Sequence, residues 1–96
     1  MHDQQLAKQF SALGDKTRYA IVVSMINGEG LCVSQLAEQL NMTPAAISQH
    51  LKILEQAGIV VPTREGRRVC CALNQQSESV SQLAKLMQRQ NASSTL

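Results

Sequence analysis

The chain has no apolar run approaching the roughly 20 residues that cross a bilayer, and its opening "MHDQQLAKQF" has neither the basic start nor the apolar stretch of a secretion signal. A cytoplasmic protein with no membrane partner is expected. Cysteine is sparse and odd in number: Cys32, Cys70 and Cys71, two of them adjacent, do not make the framework of a disulfide-stapled secreted domain. In a reducing compartment they start as thiols. Nine Lys and Arg against seven Asp and Glu leave a net charge of +2, too little to announce a nucleic-acid partner by itself. No paired-carboxylate cleft, glycine-rich phosphate loop or cysteine with an arranged histidine proposes a reaction, so neither an enzyme nor a cofactor is expected. There is no internal repeat and no low-complexity linker. At 96 residues the chain has room for one domain, residues 1–96, with a core that is marginal unless a partner subunit adds buried surface.

What is present is helical spacing, punctuated by caps. Leu6, Phe10 and Leu13 stand at i, i+4, i+7, with Gly14 available to end the helix. Asp15 is placed to cap a second helix with Tyr19, Val22, Val23 and Ile26 as its apolar side, and "NGEG" at 27–30 stops it. "LCV" at 31–33 reads as a brief strand. Ser34 is the expected cap of a helix carrying Leu36 and Leu40, and Asn41 is suited to close it in a left-handed conformation. Thr43 followed by Pro44 starts the next helix, because the hydroxyl caps and proline's missing N–H costs nothing at the first position; Gly58 ends it. "GIVVPTREGRRVCCAL" reads as a β-hairpin turning at "REGR". A last helix over 75–90 carries Val80, Leu83, Ala84 and Met87 on one stripe, and "NASSTL" at 91–96 is expected to fray.

The helix after Thr43 has two unlike faces. At about 100° per residue, Ile47, Leu51 and Leu54 make a core stripe, while Ala45, Ser48, Gln49 and Lys52 point away from it. That outer face carries no acid until Glu55, the character of a helix that enters a groove lined with phosphates. Alanine meets a thymine methyl, Gln49 pairs with adenine, and Ser48 or Thr43 bonds phosphate or base edges. The short helix before it completes a helix-turn-helix. The hairpin turn adds Arg64, Arg67 and Arg68, so three of the nine cations stand on one loop. Solvated positions on an amphipathic helix are the bland alternative for either feature alone. Together they point to double-stranded DNA, with a protein-contact module as the rival.

These residues resemble the arsenic-repressor (ArsR) family of bacterial winged-helix regulators. The matching stretches are "ALGDKTRYAI", "LCVSQLAEQLNMTPAAISQHLKILEQAGIV" and "REGRRVCCAL", spanning nearly everything from 12 to 73, and "SQHL" from Ser48 to Leu51 is similar to the family's S-x-H-L fingerprint. The resemblance implies a winged helix-turn-helix fold, mostly α with a small β-hairpin, in the order α-α-(β)-α-α-β-β-α. It also implies a homodimer packed through its first and last helices (1–13 and 75–90), repressing transcription from a two-fold symmetric operator until an effector loosens it.

The chain also departs from that family. Arsenic sensors similar to it carry "E-L-C-V-C-D-L-C", where this chain reads "GLCVSQLA", keeping Cys32 but placing Ser34 and Ala37 at the other two thiol positions. The last helix lacks the paired Asp and His of zinc-binding relatives, having only Glu78 near its start. No metal site is therefore expected. Of the two imidazoles, His2 and His50, the latter lies at the margin of the core stripe and suits packing or a phosphate. Cys70 and Cys71 stand where the family usually carries aromatics on the returning strand of the wing. In a winged helix that strand lies beside the one holding Cys32. Alternation then turns Leu31, Val33, Val69, Cys71 and Leu73 inward and leaves Cys32 and Cys70 sharing the other face. Directly opposed, the pair is close enough for a disulfide or a shared thiophilic ion. The three cysteines are thus either a thiol sensor or small apolar filler.

Overall fold

The computed structural model describes residues 2–26 and 30–94; residues 27–29 of the "NGEG" turn lie outside the described residues. The elements run α1 (His2–Leu13), α2 (Lys16–Ile26), β1 (Leu31–Cys32), α3 (Val33–Leu40), α4 (Pro44–Gln56), β2 (Val60–Glu65), β3 (Arg68–Leu73) and α5 (Glu78–Ser94). This is the expected order. The three strands form one antiparallel sheet, β1-β3-β2.

α2 starts where Asp15 caps it: the carboxylate Oδ1 accepts from the backbone N–H of Thr17 at 2.9 Å and of Arg18 at 3.0 Å. Its burial is not the single stripe that spacing suggests. Ile21, Val22 and Met25 are buried, and Tyr19, Val23 and Ile26 are packed more loosely against the same core. The reason is that α2 touches α1, α4, α5 and β3, so nearly every side of it meets protein. Around it gather Leu36 of α3, Ile47 and Leu54 of α4, Ile59, Val60 and Cys71 of the wing base, and Val80 and Met87 of α5.

α1 turns most of its apolar stripe away from this chain's core. Gln9, at 1% exposure, and Ala12 turn inward, while Phe10 remains 57% exposed and Leu6 is also exposed. A buried glutamine is tolerable only when its amide is satisfied, and Gln9 is: Nε2 donates to the carbonyl of Ala57 at 3.2 Å, and Oε1 accepts from Ser79 Oγ at 2.8 Å. Gln5 Nε2 donates to the same Ala57 carbonyl at 2.8 Å. α5 also differs, starting at Glu78 and continuing to Ser94, so the helix extends into the stretch expected to fray; residues 95 and 96 lie outside the described residues.

Candidate nucleic-acid interface

α3 and α4 are set by four local devices. The N-cap of α3 is Cys32, in extended backbone, and not Ser34. Gln35 Oε1 reaches back to accept from the Cys32 N–H at 2.8 Å, so the glutamine, not a serine hydroxyl, fixes the first turn. Asn41 takes the left-handed conformation (φ 55°), and the Met42 N–H returns to the Ala37 carbonyl at 2.9 Å, closing α3 as expected. Thr43 Oγ1 accepts from the Ala46 N–H at 3.2 Å, with Pro44 opening α4. At the other end Gly58 (φ 78°) closes α4: its N–H bonds to the Glu55 carbonyl, and the Ile59 N–H bonds to that of Leu54.

The result holds α4 by its inner face and frees the outer one. Ile47 and Leu54 are fully buried and Leu51 partly so. Thr43, Ala45, Ser48, Gln49 and Lys52 are all exposed. His50 is half-buried, with Arg18 Nη1 3.3 Å from its Nδ1. A guanidinium has no acceptor, so the ring accepts. Arg18 Nε also donates to the Ala12 carbonyl at 2.8 Å, which makes His50 part of the packing between α2 and α4.

The hairpin turns through Gly66 (φ 64°) and Arg67, a two-residue loop with glycine in its first position. Arg64, Arg67 and Arg68 are exposed. Arg64 opposes Val69, and Glu65 opposes Arg68, so by alternation Arg64 and Arg68 lie on opposite faces with Arg67 at the tip. The cations therefore ring the wing instead of lining one side. A cleft between α4 and the wing is lined by Pro44 and Ser48 from the helix, Arg68 and Val69 from the wing, and Cys32 and Ser34 from the start of α3. Val69, expected inward, is 51% exposed because it stands beyond the reach of the core.

Cys32 opposes Cys70 in the β1–β3 ladder as expected, and both are buried. They are joined as a disulfide, which corrects the expectation that the pair rests as thiols. Cys71 is separate: it opposes Leu31, its Sγ donates to the Leu31 carbonyl at 3.6 Å, and it belongs to the core. Burial pushes its thiol up to about 11, with the Glu55 charge adding to the effect, so it stays protonated and unreactive near neutrality. One neighbour escaped the sequence reading. A Glu65 carboxylate oxygen and the sulfurs of Cys32 and Cys70 all lie within 4.8 Å of one another. The signal is the hairpin register: Thr63 opposes Cys70, and Glu65 follows two residues later on the same face.

Two helices joined by a tight turn, the second with a small, polar and basic outer face, beside an arginine-bearing hairpin, define the chain as a winged helix-turn-helix protein. The family description "Bacterial regulatory protein, arsR family" matches residues 15–61. The chain is 39% identical over 92 residues to the cadmium resistance transcriptional regulatory protein CadC homolog of Staphylococcus aureus, a match covering 92% of this chain and 74% of that protein. It is 42% identical over 74 residues to the HTH-type transcriptional regulator CmtR of Mycobacterium tuberculosis, covering 76% of this chain and 61% of CmtR, so it spans about three fifths of that relative's length. Among solved structures, the homodimeric winged helix-turn-helix DNA-binding domain Mb0332 of Mycobacterium bovis superposes with a TM-score of 0.78 at 28% identity, covering 93% of this chain and 80% of that one. The chain belongs to the ArsR family.

Proposed function

We propose that the protein is a cytoplasmic, sequence-specific DNA-binding repressor that acts as a homodimer on a two-fold symmetric operator and is released by an effector acting at Cys32 and Cys70. The observation that carries this reading is the cleft shared by α4 and the wing, where Ser48 of the outer helix face and Arg68 of the hairpin line one concavity. Gln49 and Ala45 read base edges; Thr43 and Ser48 bond phosphates or bases; Lys52, Arg64, Arg67 and Arg68 hold the backbone. The dimer seam is supported by Phe10, Leu6 and Leu86, large apolar side chains left exposed on α1 and α5. The Ser79 to Gln9 hydrogen bond ties the first turn of α5 to α1.

Anisotropy titrations of a labelled operator duplex at several salt concentrations test this. Affinity falls linearly on logarithmic axes as salt rises, because each neutralised phosphate releases counterions. A chain that ignores duplex DNA at low salt, yet binds a protein partner through Ala45, Ser48 and Gln49, makes the module one for protein contact instead.

A further inference from the structure

We propose that the cleft at the tail of α4 is a phosphate-binding site, filled in the DNA complex by a backbone phosphodiester. Lys8 and Ser11 of α1, Arg18 of α2, and Ile53 and Gln56 of α4 line it, and none of its lining residues is acidic. Its volume, ≈ 260 Å³, falls below the roughly 300–1,000 Å³ of pockets that take drug-sized molecules, and fits one small anionic group. Arg18 is held there in advance. Its Nε donates to the Ala12 carbonyl and its Nη1 to His50 Nδ1; of the five guanidinium N–H donors two are thereby used, and the other three have no protein acceptor among the described residues. Asp15 feels the Arg18 charge, yet its Oδ1 is turned to the backbone N–H groups of Thr17 and Arg18, and it stands outside the cleft lining. Lys8 is exposed and has no ion-pair partner among the described residues. A planar fork with a second cation beside it suits the oxygens of a phosphate.

Position says which phosphate. Ala45, Gln49, Lys52 and Gln56 stand at i, i+4, i+7 and i+11 of α4, so the outer stripe that faces DNA in the proposed function runs straight into this cleft. The wing cleft lies at the other end of the helix, against Pro44 and Ser48. From Pro44 to Gln56 α4 is about 18 Å long at 1.5 Å per residue, against a major groove about 12 Å wide. Crossing the groove, it meets one strand at its head, beside Arg68, and the other at its tail, beside Lys8 and Arg18. The corner between α1 and α2 thereby adds a DNA contact that neither α4 nor the wing supplies. That assignment rests on the proposed function, whereas binding of phosphate itself does not.

The test titrates inorganic phosphate into the full chain without DNA and follows the Arg18 Nε–H signal by nuclear magnetic resonance, with sodium chloride at matched ionic strength as the control. The expected result is a saturating shift with phosphate and none with chloride. Lys8→Gln, at an exposed position that leaves the fold intact, loses most of that shift. In a second arm, Lys8→Gln lowers the salt slope of duplex binding by about 1, equally for every operator variant, and Lys8→Arg restores it. Lys85→Gln, the same change of charge on α5 outside this cleft, leaves the slope as it is. The proposal is overturned if phosphate moves the Arg18 signal no more than chloride does. Its DNA half is overturned if the phosphate shift is present but Lys8→Gln and Lys85→Gln give equal slopes, which makes the occupant a free phosphorylated molecule. A chain that binds phosphate at Arg18 and ignores duplex DNA counts against the repressor reading and leaves the anion site standing.

Discussion

α4 is fastened along its length by Ile47 and Leu54 and at both ends by hydrogen-bonded caps. The wing beside it has only Val60 buried in β2, and in β3 both Arg68 and Val69 are exposed. The helix is positioned by the hydrophobic core, and the hairpin by its backbone ladder and the Cys32–Cys70 link. Under the proposed function, sequence discrimination falls to the rigid element, and grip on the phosphates to the element held by the disulfide.

The comparison breaks most readily at Leu54. Leu54→Ala is expected to cost about 2–5 kcal/mol in urea unfolding, as buried leucines do, whereas Val69→Ala stays within about 0.5 kcal/mol; equal costs would mean the wing is as firmly packed as α4. Next in size, Gln49→Ala should lose about 1–3 kcal/mol of preference at one base pair, while Arg67→Ala weakens every duplex alike and lowers the salt slope by about 1. Competition titrations with single-base operator variants separate these outcomes. Gly58→Ala should cost about 1–2 kcal/mol by forcing a side chain into left-handed backbone, and its Cβ would stand 2.7 Å from Gln5 Nε2. Thermal unfolding reads this, and an unchanged midpoint would show that the end of α4 is less constrained than its caps imply.

A further effect is in pH. Cys71 ionises near 9.0 in the unfolded chain and near 11 when folded, so its contribution is fully present below pH 9.0 and is lost as pH rises toward about 11; Cys71→Ala should flatten that decline in alkaline unfolding. Asp15 runs the other way. The Arg18 backbone N–H, with smaller help from the Arg18 charge and the Thr17 N–H, holds its carboxyl below 3.8, so its cap stabilises above that value and is lost as pH falls further.

The features legible in the residues were local ones. Asp15, Asn41, Thr43, Gly58 and Gly66 act within a turn of where they stand, and the outer face of α4 follows from helical period alone. The cross-strand placement of Cys32 beside Cys70 also held, because the winged-helix topology and the two-residue alternation dictate it. The rest is set by distant partners. Gln9 is buried because its amide meets groups 48 and 70 residues away, so a polar side chain displaces the apparent stripe of α1. The burial of Ile21 and Met25 reflects neighbours on several sides of α2, and Glu65 joins the thiols only through hairpin register.

The carbonyl of Ala57 takes amides from both Gln5 and Gln9, so α1 and the tail of α4 cannot slide past each other without stranding Gln9 inside the protein, a loss of about 1–3 kcal/mol. In a twofold assembly joined at α1, that tie makes the molecule a caliper. Under the proposed function, the gap between its two reading heads is inherited from how that seam crosses, and a change of crossing angle there reaches the DNA as a mismatch of span.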